Sequence, residues 1–333
     1  MSAIPAHNLS RRLLRYFANQ QIILLVVLLA LGIFFTINNP IFFSTNVFAN
    51  ILLDWAPLTL IAVGETFVIV SGGIDLSVGA ITGFSGIIAA FVMRDLNHLM
   101  WGEPATLLVG LLVTVIVGSG LGFINGILIT AMRLVPFVAT LVMLGAAGGL
   151  SIVLTGGAPI GDGPANAILL TVPIFGPFSI PVIIVVVVVV WLGLVLHLSR
   201  FGRYTYAIGS NSFSALVAGI NVNRYTIKIY TLSGMLAGLA GMFFYIRLGS
   251  GAPTSGLNSE LDAIASVVIG GVALSGGVGV FAGTVLGALI LTTITSGLII
   301  IGVAPDWKQV VVALLIAFAV LAQSLHLTNR SAS

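Results

Sequence analysis

Ile183-Ile184-Val185-Val186-Val187-Val188-Val189-Val190-Trp191-Leu192-Gly193-Leu194-Val195-Leu196 is the stretch that decides the fold class. A polypeptide surrounded by lipid must satisfy its backbone amides internally, which leaves bundled helices or a closed barrel. Barrel strands are about ten residues long and alternate between apolar and polar faces. This run does not alternate and is too long for a barrel strand, so it reads as a transmembrane helix. The rest of the chain agrees with it. Of 333 residues, 59% are hydrophobic and 6% charged, with a mean hydropathy of +1.21. A soluble chain of this length needs far more surface charge than nine acids and twelve bases. The fold class is therefore an all-α integral membrane protein. Forty glycines among so many aliphatics predict helices that pack closely through small-residue faces, because lipid tails give apolar side chains little reason to prefer one another.

Roughly 20 apolar residues cross the hydrocarbon region. Working outward from the first run gives a polytopic bundle of about ten spans, one or more of them broken. They are Ile22–Ile37, Ile51–Val70, Val78–Met93, Ala105–Ala131, Pro136–Thr155, Ile180–Leu198, Ile227–Leu248, Leu261–Leu274, Val280–Ile301 and Val310–Ala322. Arg11, Arg12 and Arg15 before the first run resemble the start of a secretory signal. No convincing small-residue cleavage site follows, so the run is read as a retained helix. With a cytoplasmic amino terminus, Arg133, Arg200, Arg203, Arg224, Lys228 and Arg330 join those three arginines inside. Arg94, Arg247 and Lys308 fall outside, with Asp95, Glu103, Asp162 and Asp306. The positive-inside rule prefers this orientation to its mirror image. The expected layout is a cytoplasmic segment 1–20, a single transmembrane domain 21–325 with a long cytoplasmic segment at 199–226, and a cytoplasmic tail 326–333.

Gly64-Glu65-Thr66-Phe67-Val68-Ile69-Val70-Ser71-Gly72-Gly73-Ile74-Asp75-Leu76-Ser77 sets two carboxyl groups and a glycine pair inside an apolar region. An acidic side chain there costs at least a few kcal/mol, so it faces the bundle interior or a watered cavity. The glycine pair lets the backbone leave helical geometry, and Asp75 or Ser77 can cap the helix that follows. The segment reads as a broken helix beside a pathway; a plain cap for Asp75 and a buried structural hydrogen bond for Glu65 are the alternatives. Gly72 to Gly79 also matches Gly270 to Gly277 at five positions, and Asn125-Gly126 before Pro136 resembles Ser296-Gly297 before Pro305. A structural repeat and coincidence in a glycine-rich chain explain these matches equally well.

Asn211-Ser212-Phe213-Ser214-Ala215-Leu216-Val217-Ala218-Gly219-Ile220-Asn221 is amphipathic. Phe213, Leu216, Val217 and Ile220 recur at helical spacing, Asn211 or Ser212 can cap the start, and Gly219 with Asn221 can end it. Such a helix either docks in a groove on another protein or folds back on the bundle. In Ser255–Asp262, Glu260 and Asp262 point to different faces of a helix and make a poor metal pair. First-turn charge at a helix start suits them better.

Absences narrow the function. Without cysteine, disulfides, thiolate zinc sites and thiol catalysis are excluded. Neither lysine, Lys228 nor Lys308, follows a phosphate-binding loop. His7, His98, His197 and His326 lie near span ends or loops, with no paired nucleophile and no zinc-helix pattern. No catalytic residue, metal or cofactor is expected. The calculated pI of 9.5 reflects a net charge of only +3 with no basic stripe, so nucleic acid is not an expected partner.

Gly64-Glu65-Thr66 through Gly72-Gly73-Ile74-Asp75-Leu76-Ser77-Val78-Gly79 resembles the signature of the ribose-type sugar permeases of bacterial ABC importers. Ala207-Ile208-Gly209-Ser210-Asn211 followed by Ala218-Gly219-Ile220-Asn221-Val222 is similar to that family's coupling segment, which docks on the ATPase subunit. Glu260-Leu261-Asp262-Ala263-Ile264-Ala265, Val268-Ile269-Gly270-Gly271 and Leu274-Ser275-Gly276-Gly277 are similar to its third block. The resemblance runs from about Ile51 to the last helix. One departure stands out: the family often carries charged residues after the asparagine, where Ser212, Phe213 and Ser214 stand here.

The resemblance implies a permease subunit in the bacterial inner membrane. Its implied partners are a second permease copy or paralogue, cytoplasmic ATP-binding subunits and an external sugar-binding protein, with ATP hydrolysis on the separate subunit. Glu65, Ser71, Gly72, Gly73, Asp75, Ser77, Asn125, Glu260, Asp262 and Ser275 are then the candidate path or hinge residues. Asn211, Phe213, Leu216, Val217, Gly219 and Ile220 are the candidate ATPase-coupling residues. The competing readings are an ion-coupled secondary transporter, since broken helices with isolated carboxyl groups also describe such carriers, and an assembly subunit without a pathway.

Overall fold

A computed structural model describes the backbone of residues 6–304, 307–315 and 317, and side chains from residue 20 onward. The helices are α1 (Ala6–Asn38), α2 (Thr45–Val70), α3 (Val78–His98), α4 (Glu103–Thr130), α5 (Pro136–Thr155), α6 (Ile180–Leu198), α7 (Arg200–Ser210), α8 (Ser212–Val217), α9 (Val222–Leu248), α10 (Ser259–Ile269) and α11 (Phe281–Ile300). Residues 307–315 are also helical. Among the described residues, α1 to α6, α9 and α11 are long and apolar enough to cross a bilayer. Residues 316 and 318–322 of the expected span Val310–Ala322, and the tail 326–333, lie outside the described residues.

The two most enclosed helices, α2 and α9, form the centre, and α1, α4, α5 and α6 turn apolar faces outward. The closest helix contact joins α4 to α9, and glycine makes it. Gly118 and Gly122 lie against the backbone of Gly234 and Gly238, so near that a methyl on Gly118 would strike the Gly234 carbonyl. That contact realises the small-residue packing expected from composition.

Two segments turn back into the bundle. The chain leaves α2 at Val70 and doubles back, so that Asp75 lies level with Glu65 of α2 and Ser233 of α9. There α3 begins, inside the protein: Thr82 in its first turns donates to the Ala237 carbonyl at 3.0 Å, fifteen residues past the start of α9 and so roughly 22 Å along it. From the opposite end, the connector after α9 descends along α3. Gly251 packs on the Gly86 carbonyl, the Ser255 carbonyl faces Gly83, and the Gly256 carbonyl faces Gly79. At that depth α10 starts, with Glu260 beside Gly79. The starts of α3 and α10 thus meet within the bundle. The expected span Leu261–Leu274 is instead an eleven-residue helix, about 16 Å long against a hydrocarbon layer of about 30 Å.

The end of α2 is locked by backbone. Gly277 N–H donates to the Val70 carbonyl at 2.8 Å, and the Cα atoms of Gly209 (α7) and Gly72 close around the same point. The matched glycine pairs have a local cause. Gly72 and Gly271 both sit at φ +86°, each followed by an N–H that reaches back five residues, from Gly73 to Val68 and from Val272 to Val267. This helix stop registers the two segments one residue away from the sequence match, and Gly219 and Gly302 use it too. The matched glycines thus serve as the same kind of helix cap.

Candidate functional site

Where α3 begins, a buried hydrogen-bonded chain links α2, α4 and α9 to the re-entrant segment 71–77. Asp75 N–H donates to Glu65 Oε1 at 3.1 Å. Asp75 Oδ1 accepts from Ser77 N–H at 2.9 Å and from the Ser77 hydroxyl at 2.5 Å. Asn125 of α4 donates through Nδ2 to Ser77 Oγ at 2.8 Å, and Ser233 of α9 donates to Asp75 Oδ2 at 3.2 Å. Thr140 of α5 has the Pro136 carbonyl of its own helix at 3.1 Å and the Ile74 carbonyl at 3.4 Å as acceptors for its hydroxyl. Glu65, Asp75, Ser77, Asn125 and Ser233 are all fully enclosed. The Tyr230 hydroxyl closes over Gly73, which has no room for a Cβ.

Several expectations for this segment are refined. Ser77 occupies the cap position of α3 without a side-chain cap bond, because its hydroxyl is turned to Asp75. Asp75 instead closes a local turn onto Ser77 and anchors that turn to α9. Glu65 makes the buried structural hydrogen bond and meets no surface of the chain.

The remaining candidates separate. Ser71 ends α2, its hydroxyl donating to the Val68 carbonyl at 2.7 Å, and Gly72 supplies the positive φ. Glu260 and Asp262 occupy the first turn of α10, as expected, and point apart. Asp262 pairs with Lys308, while Glu260 lies against α3. Ser275 is exposed in the turn after α10 and takes no part in the buried chain, while its neighbour Gly276 packs on Gly72. A second ion pair, Arg247 to Asp54 at 2.9 Å, ties α9 to α2.

Tyr230, Ser233 and Thr140 escaped the sequence reading. Each is a lone polar residue in a helical run, the kind that commonly satisfies itself on its own helix, so it gives little signal of a long-range partner.

At the end of the bundle where α2 stops, α7 and α8 form the coupling candidate. Asn211 caps α8 by accepting Ser214 N–H at 2.8 Å, and Gly219 ends it at φ +86°. Asn221 does not help to end α8; it caps α9, accepting Arg224 N–H at 3.0 Å. Ala215 packs inward, while Phe213 is 72% and Val217 74% exposed, with Leu216 beside them. Phe213, Leu216, Gly219 and Ile220 line an open groove of 690 Å³. The helix therefore does not fold its apolar face onto the bundle. Tyr206 of α7 donates to the Gly279 carbonyl at 2.8 Å. Burial pushes its phenol up to about 12, so it remains a donor at neutral pH.

These arrangements hold helices and present a surface; no nucleophile is paired with a base in them. The family described as the branched-chain amino acid transport system / permease component matches residues 47–320. The ribose import permease protein of Escherichia coli (strain K12) is 38% identical over 320 residues, covering 92% of this chain and 95% of that one. The ribose import permease protein of Bacillus subtilis (strain 168) is 40% identical over 300 residues, covering 88% and 89%. The fructose import permease protein of Rhizobium meliloti is 37% identical over 308 residues, covering 89% and 83%. No solved structure matches at a significant level. With the family matched along most of its length and the relatives aligned nearly end to end, this chain belongs to the transport-system permease components, as the resemblance in its broken helix implied.

Proposed function

We propose that this chain is the membrane-spanning subunit of an ATP-driven importer, forming the path for a monosaccharide or related polyol delivered by an external binding protein. The reading is carried by 37–40% identity, aligned over 300–320 residues, to permeases named for ribose and fructose import. Those names favour a sugar over the amino acids in the family's description.

ATP hydrolysis belongs to a separate cytoplasmic subunit, and α8 is the element that engages it. Its exposed Phe213, Leu216 and Val217 supply an apolar anchor of the helix-in-groove kind. The end bearing α7 and α8 then faces the cytoplasm, which agrees with the positive-inside rule. A second copy or paralogue completes the path. Glu65, Asp75, Ser77 and Asn125 act as a hinge that holds the broken helix, since they are enclosed within one chain, whereas Glu260 and Asp262 lie nearer water.

The test is Phe213→Asp with Leu216→Asp, expressed beside the ATPase partner. Membrane insertion should persist while ATPase copurification and sugar uptake are both lost. Normal uptake by that double variant would overturn the docking role.

A further inference from the structure

The end of the bundle away from α7 and α8 has connectors unlike those of a water-facing surface. Residues 39–44 between α1 and α2, 99–102 between α3 and α4, and 156–179 between α5 and α6 contain one charged residue among them, Asp162. They share that end. Asn97 donates to the Asp162 carbonyl at 3.1 Å, Ile160 bridges to Gly251 after α9, and Asn39 donates to the Ile300 carbonyl at the end of α11 at 3.1 Å. Their large apolar side chains point outward: Phe43 is 87%, Met100 89% and Phe175 78% exposed, with Trp101 and Ile174 beside them. Phe175 tips a small hairpin closed by Ile174 N–H donating to the Phe178 carbonyl at 2.9 Å. The opposite end differs. There Arg133, Arg200, Arg203, Arg224 and Lys228 are all exposed, and the connector residues 131–135 and the segment 199–228 contain no acid.

We infer that these three connectors form an interfacial belt lying in the lipid headgroup layer of the leaflet opposite α8, with the bilayer as their partner. Three observations select lipid. Each connector continues the outward apolar face of a peripheral helix, through Ile37 of α1, Leu108 of α4 and Val187 of α6. Helices α1, α4 and α6 make no substantial contact with one another, packing instead on α11, α9 and α2. The α1–α2 connector is therefore set apart from the other two, which adjoin through Asn97 and Asp162, so the apolar surface extends beyond one local patch. Finally, the side chains are of the kind that settles at a membrane interface, with an amphipathic indole at Trp101 and few charges to be desolvated. The belt fixes the height of the bundle in the membrane.

The absence of cysteine makes the test direct. Phe43→Cys, Met100→Cys and Phe175→Cys are each spin-labelled in the full chain and reconstituted in nanodiscs, with Arg224→Cys, exposed at the opposite end, as the water-facing reference. Collision with oxygen is compared with collision with a polar nickel chelate. At all three positions the oxygen-to-nickel ratio should exceed the Arg224 value severalfold. A ratio equal to the reference at these positions means that the connectors project into water, and overturns the inference. Shielding from both reagents means that protein covers them, and overturns it too. A monodisperse elution profile shows that each labelled variant is folded.

Discussion

Asp75 is held as a hydrogen-bond acceptor from three directions, by the Ser77 amide, the Ser77 hydroxyl and the Ser233 hydroxyl. What the fold needs at this position is therefore oxygen. Asp75→Asn keeps one carbonyl oxygen for Ser77 and should retain measurable uptake. Asp75→Leu strands those buried donors, at about 1–3 kcal/mol for each unsatisfied group. Thermal unfolding in detergent should show the leucine variant much less stable than the asparagine one; equal stability would remove the hinge role. Much of this was legible beforehand. Glu65 and Asp75 announce themselves because acids are rare in such a run, and the glycine pair marks the break. Their fate was not legible, because Ser233 lies 158 residues from Asp75 and sequence spacing carries no trace of that contact.

At the scale of the element, the α4–α9 seam depends on glycine having no side chain. Gly118→Val would drive a branched side chain into the Gly234 carbonyl and Gly238. Overpacking of this kind costs about 1–3 kcal/mol or more, and folded yield should fall sharply on size-exclusion chromatography. Gly120, on the same helix with no neighbour in contact, should accept valine with normal yield. Long apolar helices were read with near-correct bounds; α5 and α6 coincide with their expected spans. The element misjudged was α10, since hydropathy continues past Ile269 through Val272 and Leu274 while the helix stops at Gly270 and Gly271. A hydropathy window sums composition and is blind to a backbone turn with φ of +86°.

At the scale of the molecule, the proposed drive by a separate ATPase subunit makes a clear prediction against an ion-coupled carrier. In proteoliposomes holding this chain alone, a sodium or proton gradient should drive no sugar uptake. Adding the ATPase partner, the binding protein and ATP should restore it. Gradient-driven uptake by the isolated chain would reverse the assignment. The fold class and the outline of a permease were readable from apolar runs and motif order, which are local properties. The interior meeting of α3 and α10 was not, because it arises from two distant segments folding back toward each other.

The backbone lock beneath α2 bears on how force travels. Gly209 presses its Cα on the Val70 carbonyl, and Gly277 bonds the same oxygen; no flexible side chain stands between α7 and the last turn of α2. On the coupling role proposed for α8, a push received there would therefore reach the re-entrant segment as through a rigid lever, with no slack to absorb it. Gly209→Ala should wedge that joint, so that the ATPase still binds and still turns over nucleotide while sugar delivery stops: a clutch slipped by one methyl group.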